Sequence, residues 1–272
     1  MKSIKFLFLF SWIICASVFV ACGGDGSHTE QTEETANTDD ATETSSPQVQ
    51  LTDFTSSPEF ADATISVEVA NNKFDYAVGG NYQLGDQTPD APQKMCANSG
   101  KGQHIHLIVD DLPYAAKYEP SFEHEVADGE HYVLSFLSRS YHESIKTDAA
   151  HVAFKATFEG GTPKDRAAIE DPMLFYSRPK GTYVGKENTE KVMLDFYLLN
   201  TNLDGAGNKV KIEVNGESTF TVDEWKPYFL EGLPMGDNKI KLTLLGPDGN
   251  PLDIPLNPVE RVFTLKADPA EG

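Results

Sequence analysis

Short runs in which apolar and polar residues alternate recur from Leu51 onward, separated by Gly, Pro, Asn and Asp. Alternation with period two predicts strands rather than helices, because successive side chains of a strand point to opposite faces. Residues 63–69, 74–78, 101–111, 118–126, 131–137 and 152–158 supply a first set of predicted strands. Residues 173–176, 191–199, 209–214, 219–222, 238–245 and 259–265 supply a second. Between them residues 161–172 are polar, broken by Gly and Pro and without a sustained period, which predicts a linker.

The two sets read as copies. Gly102-Gln-His-Ile-His-Leu-Ile-Val-Asp110 aligns with Gly207-Asn-Lys-Val-Lys-Ile-Glu-Val-Asn215, and Asp128-Gly129 aligns with Gly236-Asp237. Self-similarity over about 100 residues predicts tandem units, and many short strands with turn signals predict an all-β fold of immunoglobulin-like sandwiches. The expected domains are residues 51–160 and 173–268. In this alignment Ile105, Leu107 and Val109 fall on Val210, Ile212 and Val214, so the core face is kept. On the opposite face His104 and His106 fall on Lys209 and Lys211. Two lysines predict a solvated face in the second unit, and confine whatever the histidines do to the first.

Ahead of Leu51 the pattern changes. Lys2 and Lys5 precede an almost wholly apolar run over residues 6–20, followed by Ala21-Cys22. This order predicts an export signal over residues 1–21 rather than a spanning helix. Phe19-Val-Ala-Cys22 resembles the lipobox of bacterial lipoproteins, with Phe where that family usually has Leu. The resemblance implies acylation of Cys22 and a lipid anchor in the bacterial cell envelope, facing the periplasm or the exterior. Residues 22–50 are rich in Glu, Thr, Asp and Ser and contain no Lys or Arg, which predicts a disordered acidic tether.

The whole chain carries a net charge of -20, and loss of Lys2 and Lys5 takes it to -22. That excludes nucleic acid and electrostatic adhesion to anionic lipid, both of which need basic patches, and leaves membrane attachment to the acyl chains. Of three cysteines, Cys15 lies in the signal and Cys22 at the lipid site, so Cys96 has no internal disulfide partner.

Six of the seven histidines lie between Gln103 and Val152: His104, His106, His124, His131, His142 and His151. Residues two apart on a strand share a face, so His104 and His106 can share a zinc or copper ion. A third ligand is available from His131 or His142, and Cys96 would give a Cys-His-His copper site. A second candidate is the polar turn Ser138-Arg-Ser-Tyr-His-Glu143. There Arg139, Ser140, Tyr141 and His142 are donors for an anion, with Lys101, Gln103 and Lys117 near in sequence. No Gly-x-Ser-x-Gly elbow, His-Glu-x-x-His or phosphate loop occurs, so the expectation is a protein without catalytic activity.

Ser57-Pro-Glu-Phe-Ala-Asp-Ala63, the run from Cys96 to His106, residues 114–122 and Leu137-Ser-Arg-Ser-Tyr-His-Glu143 together resemble a family of bacterial lipoproteins labelled phosphopeptide-binding proteins. The resemblance covers most of residues 53–158 and implies that Arg139 and His142 contact an anionic group. Three readings stay open. One is a non-enzymatic envelope lipoprotein binding a peptide or anionic group through the first sandwich. Another is a protein handling copper or zinc. The third is a structural component of a surface complex, which would show clustered exposed aromatics around Tyr114, Tyr118 and Trp225.

Overall fold

The computed structural model describes residues 48–269. The export signal, Cys22 and the tether ahead of Gln48 lie outside the described residues. From the N-terminal side run β1 (Gln50–Asp53), β2 (Thr64–Ala70), β3 (Lys73–Gly79), β4 (His104–Val109), β5 (Ala115–Lys117), β6 (Ser121–Glu123), β7 (Gly129–Ser138), β8 (His151–Glu159) and β9 (Thr162–Ala167). There follow β10 (Met173–Arg178), β11 (Gly181–Val184), a single helical turn α1 (Lys186–Thr189), β12 (Lys191–Leu199), β13 (Lys209–Val214), β14 (Ser218–Val222), β15 (Tyr228–Glu231), β16 (Gly236–Leu245) and β17 (Val259–Lys266).

The fold is all-β, as the alternation predicts, and its strands form two sandwiches. In the first, sheet β2-β3-β6 lies over sheet β5-β4-β7-β8-β9, closing on a core that includes Val67, Phe74, Ile105, Leu107, Val133 and Phe158. In the second, β1-β15-β12-β10 lies over β11-β17-β16-β13-β14, around Leu194, Phe196, Val210, Ile212, Leu242 and Phe263. Burying each such side chain contributes about 1.5–3 kcal/mol.

The repeat is kept residue for residue where the alignment places it. Val109 faces Val133 across β4 and β7, and its counterpart Val214 faces Ile240 across β13 and β16. Each leading strand ends in a left-handed residue, Asp110 at φ 54° and Asn215 at φ 55°. Asp and Asn tolerate that conformation because their short side chains bond locally. Asp110 Oδ1 accepts the Tyr132 amide at 2.8 Å, and Asn215 Oδ1 accepts the Lys239 amide at the same distance.

The strands depart from the expected boundaries in three places. First, residues 51–53, expected within the first domain, belong to β1, which pairs with β15 in the second sandwich, Leu51 facing Leu230. Second, the expected linker 161–172 contains β9, an edge strand on β8. An edge strand with exposed Lys164, Asp165 and Arg166 has no apolar face to betray it, and Pro163 is tolerated there. Third, the strand expected over residues 118–126 is reduced to β6.

A third apolar cluster joins the sandwiches. Ile108, Leu134 and Phe136 on the outer face of β4 and β7 pack with Met173 and Phe175 of β10 and with Tyr197 and Leu199 of β12. Phe136 and Tyr197 stack with centroids 5.1 Å apart. β10 is therefore buried at every position, one face in its own core and the other in this seam. The seam also has a polar clasp: Lys146 Nζ lies 2.6 Å from Asp195, which accepts the Ser144 amide through its other oxygen.

Candidate metal centre

β4 carries His104 and His106 on the face turned away from the core of the first sandwich, yet both are fully buried. A third imidazole reaches them from the turn after β7. There Ser138 and Ser144 pair, and the His142 amide donates to the Arg139 carbonyl at 2.8 Å. His142 sits at φ 71°, a left-handed conformation that costs a non-glycine residue about 1–3 kcal/mol and that packing must hold in place.

The ring nitrogens converge. His104 Nε2 lies 2.9 Å from His106 Nε2 and 2.9 Å from His142 Nδ1, and all three atoms fall within 4.8 Å of one another. An outer partner sets the tautomer of His104. His104 Nδ1 donates to the Gly102 carbonyl at 2.8 Å, leaving its Nε2 lone pair inward. His106 Nδ1 lies 3.3 Å from Ser177 Oγ of β10. Outer hydrogen bonds of this kind orient metal-ligating histidines. Two nitrogens held about 2.05 Å from one ion stand about 2.9 Å apart at a right angle and about 3.4 Å apart at the tetrahedral angle. The two 2.9 Å edges fall in that range, and the third nitrogen pair lies within 4.8 Å.

The surroundings keep these rings neutral. Burial holds the His104 imidazolium down to about 4, helped by the positive charges of Arg178 and Lys180. Burial, the neighbouring rings and the same two cations hold His106 and His142 well below the usual histidine range. Tyr114 stacks on His106 at 3.6 Å between centroids and brings its hydroxyl to 3.4 Å from His142 Nδ1. Burial raises the Tyr114 phenol, so it stays protonated. The set is thus three uncharged nitrogen donors beside two cations, with no carboxylate among the ligand atoms.

Other expected site residues are placed elsewhere. His131 bonds Asp110 at 2.6 Å and the Ala127 carbonyl at 3.0 Å, away from the cluster. Cys96 packs against the group of Phe54, Tyr141 and Phe229, and burial pushes its thiol up to about 11; it is not among the converging ligand atoms. Arg139 does not present its guanidinium to a ligand: it donates to the Pro58 and Ser144 carbonyls and lies 3.6 Å from Glu143. Ser140 exchanges hydrogen bonds with Thr88, and Tyr141 is fully buried against Phe54 with its hydroxyl on Asp90. Gln103 is buried and donates to the Gln83 carbonyl. Lys101 is exposed, its ammonium 5.4 Å from the Tyr118 ring centroid. The aromatic patch does not form: Tyr114 is buried, and Trp225 donates to the Phe196 carbonyl and packs on Tyr197.

The second sandwich contributes residues that sequence reasoning does not find. Ser177 touches His106, and Arg178, Lys180 and Tyr183 line a cleft of about 420 Å³ with Tyr114 and His142. Arg178 is 4% exposed and donates through Nη2 to the Tyr183 hydroxyl at 2.6 Å. Its Nε and Nη1 have no acceptor, and none of the charges acting on it comes from a carboxylate. A buried, unpaired charge of this kind costs several kcal/mol. The available signal was the run Met173-Leu-Phe-Tyr-Ser-Arg178, too continuously buried in character for a strand with one wet face.

No protein-family model matches the chain, and no curated protein sequence matches it. Among solved structures, the fibronectin(III)-like modules of Clostridium thermocellum CbhA match with 18% identity over 35% of this chain and 99% of theirs, at a TM-score of 0.26. That likeness is too distant to carry any functional inference.

Proposed function

We propose that this protein is a non-enzymatic, exported lipoprotein that holds a copper or zinc ion through His104 Nε2, His106 Nε2 and His142 Nδ1. The observation that carries the reading is the convergence of these three nitrogens from two separate segments, with the His104 tautomer set by the Gly102 carbonyl. Neutral imidazoles bind such ions without first losing a proton, and nitrogen donors suit zinc and copper better than magnesium or calcium. The absence of a carboxylate among the ligands and the closeness of Arg178 and Lys180 favour an ion of low charge, such as cuprous copper, or one that arrives with an anion. Envelope attachment rests on Cys22 and its lipobox.

Calorimetric titration of the chelator-stripped chain with Zn²⁺, Cu²⁺ and, under reductant, Cu⁺ tests this. The expected outcome is one ion per chain at micromolar affinity or tighter, abolished by the double substitution His104→Ala, His106→Ala. Failure to bind any of the three ions removes the metal reading.

A further inference from the structure

We propose that the cleft beside His142 binds a small oxyanion, a carboxylate or phosphate group, between Arg178 and Lys180. Arg178 is the central group of this cleft. A guanidinium has five N–H donors in a rigid plane, and here Nε and Nη1 are buried without an acceptor while only Nη2 is used, on Tyr183. Most buried arginines are matched by a carboxylate, since an uncompensated interior charge is costly. Among the described residues no carboxylate lies within ion-pair distance of Arg178, in a chain with 42 acidic residues to 22 basic ones. The sequence had acids to spare and places none here.

The rest of the cleft repeats the pattern. Lys180 is half-buried, its ammonium 4.0 Å from the Tyr114 ring centroid, and the charges that act on it are those of Arg178 and Arg261. Tyr183 accepts from the Lys180 amide at 3.3 Å as well as from Arg178, and so ties both cations to one wall. Tyr114 and His142 also line it, and Ala97, Thr182, Val184 and Asn188 complete a lining without an acidic residue. Arginine forks suit carboxylate and phosphate oxygens. An oxyanion there supplies the missing counter-charge. It also offsets the charge that a metal ion adds beside the two cations, so each ligand favours the other. The anion site stands on Arg178 and not on the metal reading, which it adjoins at His142.

The test is calorimetry on the chelator-stripped full chain at low ionic strength, with inorganic phosphate and acetate titrated separately and no metal present. One saturable site is expected for at least one of them, and the stronger of the two names the source of the oxyanion. Lys180→Met, a change at a half-exposed side chain, is expected to weaken it about tenfold, Arg178→Lys by about tenfold or more, and His142→Ala by no more than about twofold. The proposal is overturned if neither anion shows a saturable site, or if Lys180→Met binds as tightly as the parent. Metal uptake measured in anion-free buffer separates the two readings. A chain that takes up metal and neither anion sinks this inference alone, and one that takes up an anion and no metal sinks the other.

Discussion

β4 and β13 occupy the same place in the two sandwiches and share a register with their neighbours β7 and β16. Their inward faces are interchangeable: Ile105, Leu107 and Val109 on one, Val210, Ile212 and Val214 on the other, all buried. The outward faces differ in what covers them. Around β13 the covering is water, with Lys211 and Lys241 bonded to Glu213 at 3.2 Å and each partly exposed. Over β4 lie Tyr114, His142 and the edge of β10. Identical backbone therefore yields a solvated charge ladder in one place and a dry cluster of imidazoles in the other. Chemistry on a sheet is decided by its cover, and here part of that cover is a strand of the other sandwich.

Exchanging the two faces breaks the comparison most directly. His104→Lys with His106→Lys puts two ammonium groups into the seam at several kcal/mol each, so a loss of about 6 kcal/mol or failure to fold is expected. The reverse exchange, Lys209→His with Lys211→His, alters a wet surface and is expected to stay within about 0.5 kcal/mol per site in denaturant unfolding. Next in size is the contrast between seam and core. Phe175→Ala and Phe263→Ala, both at nearly fully buried positions, should each cost about 3–5 kcal/mol in the same unfolding measurement. Only the first, which supports Ser177 behind His106, should also weaken metal binding, by about tenfold or more.

Protonation of histidine acts on the first sandwich alone, because every histidine in the described residues lies ahead of Val152. His104 is held near 4 when folded, below its ordinary value of 6.5. The unfolded chain thus takes up protons first, and the stability present above pH 6.5 is lost as pH falls toward 4. For each histidine so shifted the loss is about 1.4 kcal/mol per pH unit, with His106 and His142 shifted in the same direction. Urea midpoints of the metal-free chain at pH 7.5 and 5.5 read this directly; equal midpoints would mean the rings are not held neutral. The smallest contrast is in the turns. Asn215→Ala should cost about 1–2 kcal/mol for its left-handed residue and lost hydrogen bond. Asp110→Ala should cost more, because His131 also loses its partner at 2.6 Å.

How much of this could be read in advance follows from the range over which each feature is determined. Alternation along residues 63–69 or 209–214 is local, so those strands were legible, as was the shared face of His104 and His106. The alignment of Asp110 with Asn215 even placed two equivalent turns. Convergence is not local: His142 and His131 were equally available as third ligands, and only the turn after β7 separates the one from the other. Arg139 and Tyr141 resembled exposed donors because their acceptors and packing partners, Pro58 and Phe54, lie more than a sheet away in the chain. Ser177 and Arg178 were hidden for the same reason, since the seam that brings them to β4 leaves no spacing to read. β1 and β9 escaped because short edge strands need no apolar stripe.

β1 has a temporal consequence. Thr52 bonds Glu231 at 2.7 Å across 179 residues of chain, so β1 finds its partner only when widely separated parts of the described chain meet. The first sandwich draws all its strands from residues 64–167, while the sheet edge of the second is incomplete until β1 reaches β15. Pairing across so long a loop is slow to form, and it completes the edge of the sheet opposite β10, the far side from the histidines.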